Sequence, residues 1–240
     1  MMRRELIGLL GAWAGILALP GCNAFRPERH TFRFRMTVEV DTPQGLRSGY
    51  SVMEMSGSAA LITLNGKTVD LNLVYEAVPI DLPGGQTLFM LGRYNLGGDN
   101  IFGQVLRGFD PVFRQSEALV ALLAELAQPS SIGRVGVMTP GEYNPYPMLV
   151  RFRDANDPKT VELVDPKDLA KSFGKGVKLR RIYMTITDEP VTRTINKRLT
   201  WLGPYAESRL DRDYKGGIAV RDANLSQLLS YGDFRRGTEK

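Results

Sequence analysis

The 240-residue chain contains one cysteine, Cys22, and one histidine, His30. A single thiol cannot close an internal disulfide or build a zinc site from several cysteines. The only imidazole lies close to the N-terminus, in a segment that we expect to be a tether, where a general base would not be held in fixed geometry. A Ser-His-Asp arrangement is therefore disfavoured, and the fold is expected to depend on its core alone.

The sequence also lacks an apolar run long enough to span a bilayer comfortably. The longest N-terminal run, Leu6–Leu19, would extend ~21 Å as a helix, against a hydrocarbon core of roughly 30 Å. It follows Arg3 and Arg4 and precedes the small residue Gly21, which is the pattern of an export signal. The predicted organisation is a signal peptide over residues 1–21, a tether over 22–30 and a single globular α+β domain over 31–240.

The end of the predicted signal, Leu19-Pro20-Gly21-Cys22, resembles the lipobox of bacterial lipoproteins. Leu19, Gly21 and Cys22 occupy the expected places, whereas Pro20 stands where a small or β-branched residue is usual. The resemblance implies cleavage before Cys22, a diacylglycerol on its thiol and fatty acyl chains such as palmitate. Asn23 stands where inner-membrane lipoproteins typically carry Asp, so the resemblance favours the periplasmic face of the outer membrane.

Three stretches of the body are similar to a set of uncharacterised proteobacterial lipoproteins. This similarity implies a comparable overall organisation and no catalytic residue. The stretches are Met148–Arg153, Val164-Asp165-Pro166 and Thr187–Thr192.

Charge is modest: the formal net charge is +5, and removal of residues 1–21 leaves +4. Such a balance is compatible with an anionic envelope lipid or glycan, but it identifies no partner. We expect no nucleic acid in that compartment.

Alternation of apolar and polar residues predicts antiparallel strands. Residues 31–41 place Phe32, Phe34 and Met36 on one face, and a turn at 42–45 leads to a partner strand at 46–56. Asn65-Gly66 suits the type I′ turn of a hairpin. The other predicted strands are 59–64, 67–78, 86–91, 148–153, 160–164 and 177–187.

One clear helical stripe of leucines, followed by Pro129, predicts a helix over about 112–127. Shorter helices are predicted over 165–174 and 190–202, and the glycine-rich residues 92–110 are either a loop or an irregular edge strand. The fold class is thus α+β, with a mainly antiparallel sheet of meander and hairpins covered on one face by the 112–127 helix. A β-sandwich with inserted helices is the alternative.

Two acidic stretches are weak candidates for calcium, and we predict no metal site. Asp211, Asp213 and Asp222 match part of an EF-hand loop, but Lys215 brings a cation to a ligand position and Ala219 removes another ligand. The turn at 154–158 carries oxygen side chains that more often bond their own backbone.

A tyrosine-bearing loop and a cluster of basic residues are two further features that could lie at the surface. Tyr143 and Tyr146, on a Pro-rich loop over 141–147, could stack on sugar rings of peptidoglycan, although a packed turn is the default interpretation. The basic cluster of Lys175, Lys178, Arg180 and Arg181 is interpreted as a solvated sheet face.

These observations favour a lipid-anchored cell-envelope protein, acylated at Cys22, with a non-catalytic binding or structural role and no cofactor. Its expected partners are the membrane, through the lipid, and another envelope protein or an anionic glycan or lipid. The alternative is an envelope hydrolase that uses a carboxylate pair such as Asp154/Asp157 or Asp188/Glu189.

Overall fold

The computed structural model describes residues 27–59, 69–96, 101–111, 117–141, 145–203, 207–216 and 223–237. Within these ranges the strands are β1 (His30–Thr42), β2 (Gly45–Ala59), β3 (Val69–Glu76), β4 (Val78–Leu82), β5 (Gln86–Met90), β6 (Val135–Val137), β7 (Leu149–Phe152), β8 (Val161–Val164), β9 (Lys178–Thr187) and β10 (Arg235–Arg236). The α-helices are α1 (Phe102–Phe109), α2 (Glu117–Leu126), α3 (Ala170–Phe173) and α4 (Leu225–Leu228).

The larger sheet has six antiparallel strands in the order β10-β3-β2-β1-β9-β6. Its centre is β1, where Phe34 and Met36 are fully buried on the inner face while Arg33 and Arg35 lie on the outer face. This is the result of the alternation in the sequence, because successive strand residues point to opposite faces. The predicted strands at 31–41, 46–56 and 177–187 are confirmed.

The smaller sheet has four antiparallel strands in the order β4-β5-β7-β8. The prediction of one continuous strand over 67–78 is wrong here: β3 ends at Glu76, and β4 begins at Val78 in the other sheet. Between them the Ala77 N–H donates to Phe234 O at 2.7 Å. The chain therefore leaves the first sheet at Ala77 and enters the second.

The two sheets share the main core, and a second core lies under the C-terminal residues. In the main core, β1, β2 and β9 of the large sheet meet β4, β5 and the apolar sides of α1 and α2. In the second core, Phe89 and Val150 of the small sheet pack against Leu199, Tyr231 and Phe234. We call residues 195–203, 207–216 and 223–237 the C-terminal layer.

Two predictions of local structure are wrong. Residues 102–109, predicted as loop or edge strand, form α1, which packs on β6 and β9. Residues 190–202 are not a continuous helix: Thr192 pairs with Val52 of β2 through its N–H and its hydroxyl, and only Ile195–Lys197 forms a short 3₁₀ turn. Tertiary hydrogen bonds thus override helix propensity in this stretch.

The predicted fold class is confirmed: the molecule is α+β with mainly antiparallel sheets. The predicted covering helix is α2, which contacts β1 and β2, and the 165–174 helix is shorter than predicted, at α3. Residues 112–116 and the Asn65-Gly66 turn lie outside the described residues.

Candidate binding groove

An apolar groove of about 790 Å³ opens at the side of the small sheet. Its floor includes Met148, Leu149 and Val164, which are buried, and the exposed side chain of Leu163. Its walls are the loop 94–96 and two proline-containing stretches, 145–147 and 165–167. The volume is within the range of roughly 300–1,000 Å³ that is usual for ligand sites. We call this feature the tyrosine groove, after Tyr94 and Tyr146 in its walls.

The tyrosine groove runs beside the free edge of β8. Leu91 N–H donates to Met148 O at 2.9 Å, and Arg153 N–H donates to Thr160 O at 3.3 Å. Because hydrogen-bonded pairs alternate along antiparallel strands, Leu149 and Arg151 bond to β8, and the N–H and C=O of Leu163 point away from β7. The edge of β8 therefore offers a backbone donor and a backbone acceptor at Leu163, whose side chain is 55 % exposed.

One cation stands at the rim of the tyrosine groove. Asp165 Oδ1 accepts the Lys167 N–H at 2.8 Å, which fixes the turn that follows β8. The Lys167 ammonium is exposed and makes no salt bridge within the described part of the chain. The groove is thus apolar inside and carries one cation, Lys167, and one anion, Asp165, at the same end.

The carboxylate pairs weighed for a hydrolase are occupied by turn and surface contacts. Asp154 Oδ1 accepts the Asn156 N–H and Asp157 Oδ1 accepts the Lys159 N–H, both at 2.9 Å, as Asx turns do. Glu189 accepts from the Arg35 guanidinium and from the Thr187 hydroxyl. None of these acids lines the tyrosine groove.

The weak calcium candidates Asp211 and Asp213 converge on a lysine. Lys159 Nζ lies 3.1 Å from Asp211 Oδ1 and 2.6 Å from Asp213 Oδ2. The hydrogen bond to Asp213 raises the pKa of Lys159, and the hydrogen bond from Lys159 lowers the pKa of Asp211. Asp222, the third candidate, lies outside the described residues, and within the described part of the chain no group of three His, Cys, Asp or Glu side chains could hold a metal ion.

His30 belongs to the sheet rather than to the tether. It is the first residue of β1, opposite Gly57 of β2, and its side chain is 15 % exposed. The Glu28 carboxylate lies 3.8 Å from its Nδ1. The imidazole is therefore largely buried at the end of the large sheet, at the first residue of β1.

The basic cluster lies at the opposite end of β1. Arg181 Nε donates to Glu39 Oε2 at 2.8 Å, and Arg180 Nη2 lies 2.7 Å from Asp41 Oδ1, so these arginines pair with β1 carboxylates. The hydrogen bond from Arg181 lowers the pKa of Glu39, and the one from Arg198 lowers the pKa of Asp81. A general acid needs a raised carboxyl pKa, and these shifts are in the other direction.

The lipobox residues Leu19, Gly21 and Cys22 lie outside the described residues, as does Tyr143. Among the helices that are described, none is long and apolar enough to cross a membrane. No protein-family model, curated protein or solved structure matches the chain.

Sequence reasoning missed the tyrosine groove as a whole, although part of its signal was visible. The Tyr/Pro pattern of the 141–147 loop indicates a surface that could stack on sugar rings, and Tyr146 does line the groove. The opposite wall comes from 165–167 and the floor from Leu163, and only the pairing of β7 with β8 brings these residues to the loop.

Proposed function

We propose that the protein is a lipid-anchored, non-catalytic binding protein of the cell envelope, acylated at Cys22. The tyrosine groove is the observation that supports a binding role, since it combines an apolar interior, an open strand edge and a cation at the rim. The lipobox-like sequence supports the anchor and the periplasmic face of the outer membrane as its location.

The position of His30 gives the anchor a geometric consequence. Eight Cα–Cα steps separate Cys22 from His30. At ~3.3–3.6 Å per residue, a lipid on Cys22 would hold the start of β1 within about 29 Å of the membrane surface. The end of the large sheet that carries His30 is then the end nearest to the point of attachment along the chain, and Arg180 and Arg181 lie at the other end of β1.

The anchor is tested with Cys22→Ala in the full chain. Metabolic labelling with an alkyne palmitate analogue and membrane fractionation are expected to give a labelled, membrane-bound wild type and an unlabelled, soluble variant. Mass spectrometry that finds a free Cys22 thiol in the wild type would refute acylation.

Binding in the tyrosine groove is tested by photo-crosslinking in cells. A photoreactive amino acid at Leu163 is expected to give a discrete adduct that disappears with Lys167→Glu. The matched control is the same amino acid at Leu46, which is 49 % exposed on the outer face of the large sheet. Equal adducts from both positions, or none from Leu163, would contradict a binding role for the groove.

A further inference from the structure

Four arginines of the C-terminal layer make no salt bridge within the described residues, and three of these four donate to uncharged oxygens instead. Arg209 Nη1 donates to Leu228 O at 2.6 Å, Arg212 Nε to Tyr231 Oη at 2.7 Å and Arg235 Nη2 to Gly203 O at 2.7 Å.

Arg235 is the most unusual of the three, because it is only 8 % exposed and its Nε has no hydrogen-bond partner. Glu76 lies opposite Arg235 in the register of β3 and β10, but its Oε2 accepts the N–H groups of Thr194 and Ile195. A buried donor without an acceptor is unfavourable, so an anion near Arg235 Nε would stabilise this side chain.

A polar pocket of about 650 Å³ lies beside these arginines. Gly203, Ser208, Arg209 and Arg212 line it, with the acidic residues Glu207 and Asp211. The Asp211 carboxylate accepts from Lys159 at 3.1 Å, and Glu207 has no paired lysine or arginine within the described residues. Arg209 and Arg212 line the pocket as guanidinium groups that are in no salt bridge with a described carboxylate, and we call it the arginine pocket.

Gly203 brings two of the guanidinium groups together. Its carbonyl accepts from Arg235, and a Cβ at this position would lie 3.6 Å from Arg212 Nη2 and 3.2 Å from the Tyr231 ring. The absence of a side chain thus leaves Arg212 and Arg235 close to the same residue at the wall of the pocket.

We propose that the arginine pocket binds a phosphate oxyanion, either as free phosphate or as the headgroup of an anionic lipid. Arg209 and Arg212 would contact its oxygens, because a guanidinium presents several N–H donors in the planar geometry that phosphate accepts. Arg235, which is buried and donates to the carbonyl of Gly203 at the wall of the pocket, would add positive potential. This site does not depend on acylation of Cys22 or on the tyrosine groove.

Trp201 provides the measurement. Its ring lies 5.7 Å from the ring of Tyr231, whose hydroxyl accepts from Arg212, and it is the only tryptophan after residue 21. The full chain in neutral detergent is titrated with sodium phosphate at constant ionic strength while Trp201 fluorescence is recorded. A second titration uses mixed micelles that contain phosphatidylglycerol, with phosphatidylcholine as the reference lipid.

The expected result is saturable binding that Arg212→Gln and Arg209→Gln each weaken roughly tenfold or more, since each removes a charge-assisted hydrogen bond. Glu207→Gln is expected to strengthen binding by removing a repulsive charge. Arg236→Gln, at the exposed neighbour of Arg235, is the matched control and leaves affinity unchanged. Saturation with inorganic phosphate identifies free phosphate as sufficient, and saturation only with phosphatidylglycerol identifies the headgroup.

Arg235→Met keeps the length of the side chain and removes its charge, so it is expected to weaken binding as well. If that variant does not fold, the variants at the exposed Arg209 and Arg212 still decide the question. No saturable signal with either ligand overturns the proposal, and so does an equal loss of affinity in Arg212→Gln and Arg236→Gln.

Discussion

The large sheet and the C-terminal layer both bury large apolar side chains, but they do so by different means. In β1 every second side chain enters the main core, and the ladders to β2 and β9 satisfy the backbone. The C-terminal layer has little regular structure. Its second core is a cluster of aromatic rings, in which Phe234 lies 5.7 Å from Phe152 and 5.8 Å from Trp201.

The C-terminal layer also relies on side chains to satisfy backbone groups. Trp201 Nε1 donates to Ala155 O at 2.8 Å, and the Asp233 carboxylate accepts from Ser230 N and from the buried Arg93. A sheet distributes its hydrogen bonds over many equivalent pairs, whereas here single side chains carry them. We therefore expect single substitutions in the C-terminal layer to make it unfold at a lower denaturant concentration than the two sheets.

The largest expected effect is that of Phe234→Ala, which removes a fully buried ring from the second core. Loss of such a side chain costs about 3–5 kcal/mol of the free energy of unfolding. Urea unfolding followed by Trp201 fluorescence is expected to shift to lower urea than unfolding followed by far-UV circular dichroism. Phe34→Ala in β1 is the control, and there both probes should shift together. Coincident transitions in both variants would show that the two regions unfold as one unit.

A second substitution tests the connection between the regions. Glu76, 2 % exposed at the end of β3, accepts the N–H groups of Thr194 at 2.6 Å and Ile195 at 2.9 Å. Glu76→Ala leaves both donors unsatisfied, and we expect a loss of about 2–4 kcal/mol. Glu76→Gln retains one acceptor oxygen and should lose less. Equal unfolding free energies for the two variants would contradict this role for the carboxylate.

The acid stability of the large sheet is expected to depend on Glu39. Its pKa in the folded protein is lowered by the hydrogen bond from Arg181, below an unfolded value of about 4.3. The stabilisation is therefore complete above that value and is lost as pH falls through the lowered folded pKa. Asp81, lowered by Arg198, contributes with the same sign.

Glu39→Gln should accordingly lose less stability than the wild type when urea midpoints are compared at pH 6 and pH 3. The control is Glu28→Gln, whose side chain is 84 % exposed. If the urea midpoints of Glu39→Gln and of the wild type fall by the same amount between pH 6 and pH 3, the Glu39–Arg181 pair does not stabilise the sheet.

The smallest effect distinguishes two buried serines. Ser131 Oγ donates to Glu125 O at 2.7 Å, so Ser131→Ala is expected to cost about 1 kcal/mol. Ser51 Oγ is fully buried in β2 without a partner, so Ser51→Ala is expected to be neutral or slightly stabilising. Thermal melts of the two variants provide the measurement, and a larger loss in Ser51→Ala would show that its hydroxyl has a partner.

The sequence predicts β1, β2, β9 and α2, because β1 alternates strictly and α2 carries a continuous leucine stripe. It does not predict β6 and β10, which are only three and two residues long. It does not predict that Ala77 separates two sheets, since that step depends on a hydrogen bond to Phe234, which is 157 residues away. It also misses α1, because Gly103 and Gly108 are poor helix formers. In the fold, Gly108 packs so closely on Met184 that a Cβ there would lie 2.3 Å from the Met184 Cε, and this side chain would have to move.

The candidate sites are less predictable than the fold, for a related reason. Acids such as Asp154 and Asp211 are conspicuous in the sequence, but their partners are determined by local turns and by Lys159, which is distant in the chain. The tyrosine groove joins residues from separate stretches, and only tertiary packing brings them together. The lining of the arginine pocket lies within residues 203–214, and its connection to Arg235 depends on the hydrogen bond to Gly203.

The central position of β1 has a mechanical consequence. The strand that follows the tether is paired along thirteen register positions with β2 and along nine with β9. A pull on the N-terminus acts along β1 and loads both ladders in shear, so many hydrogen bonds must break together instead of one after another. Under the proposed acylation of Cys22, the load of the membrane anchor would thus enter the molecule through the central strand of the large sheet.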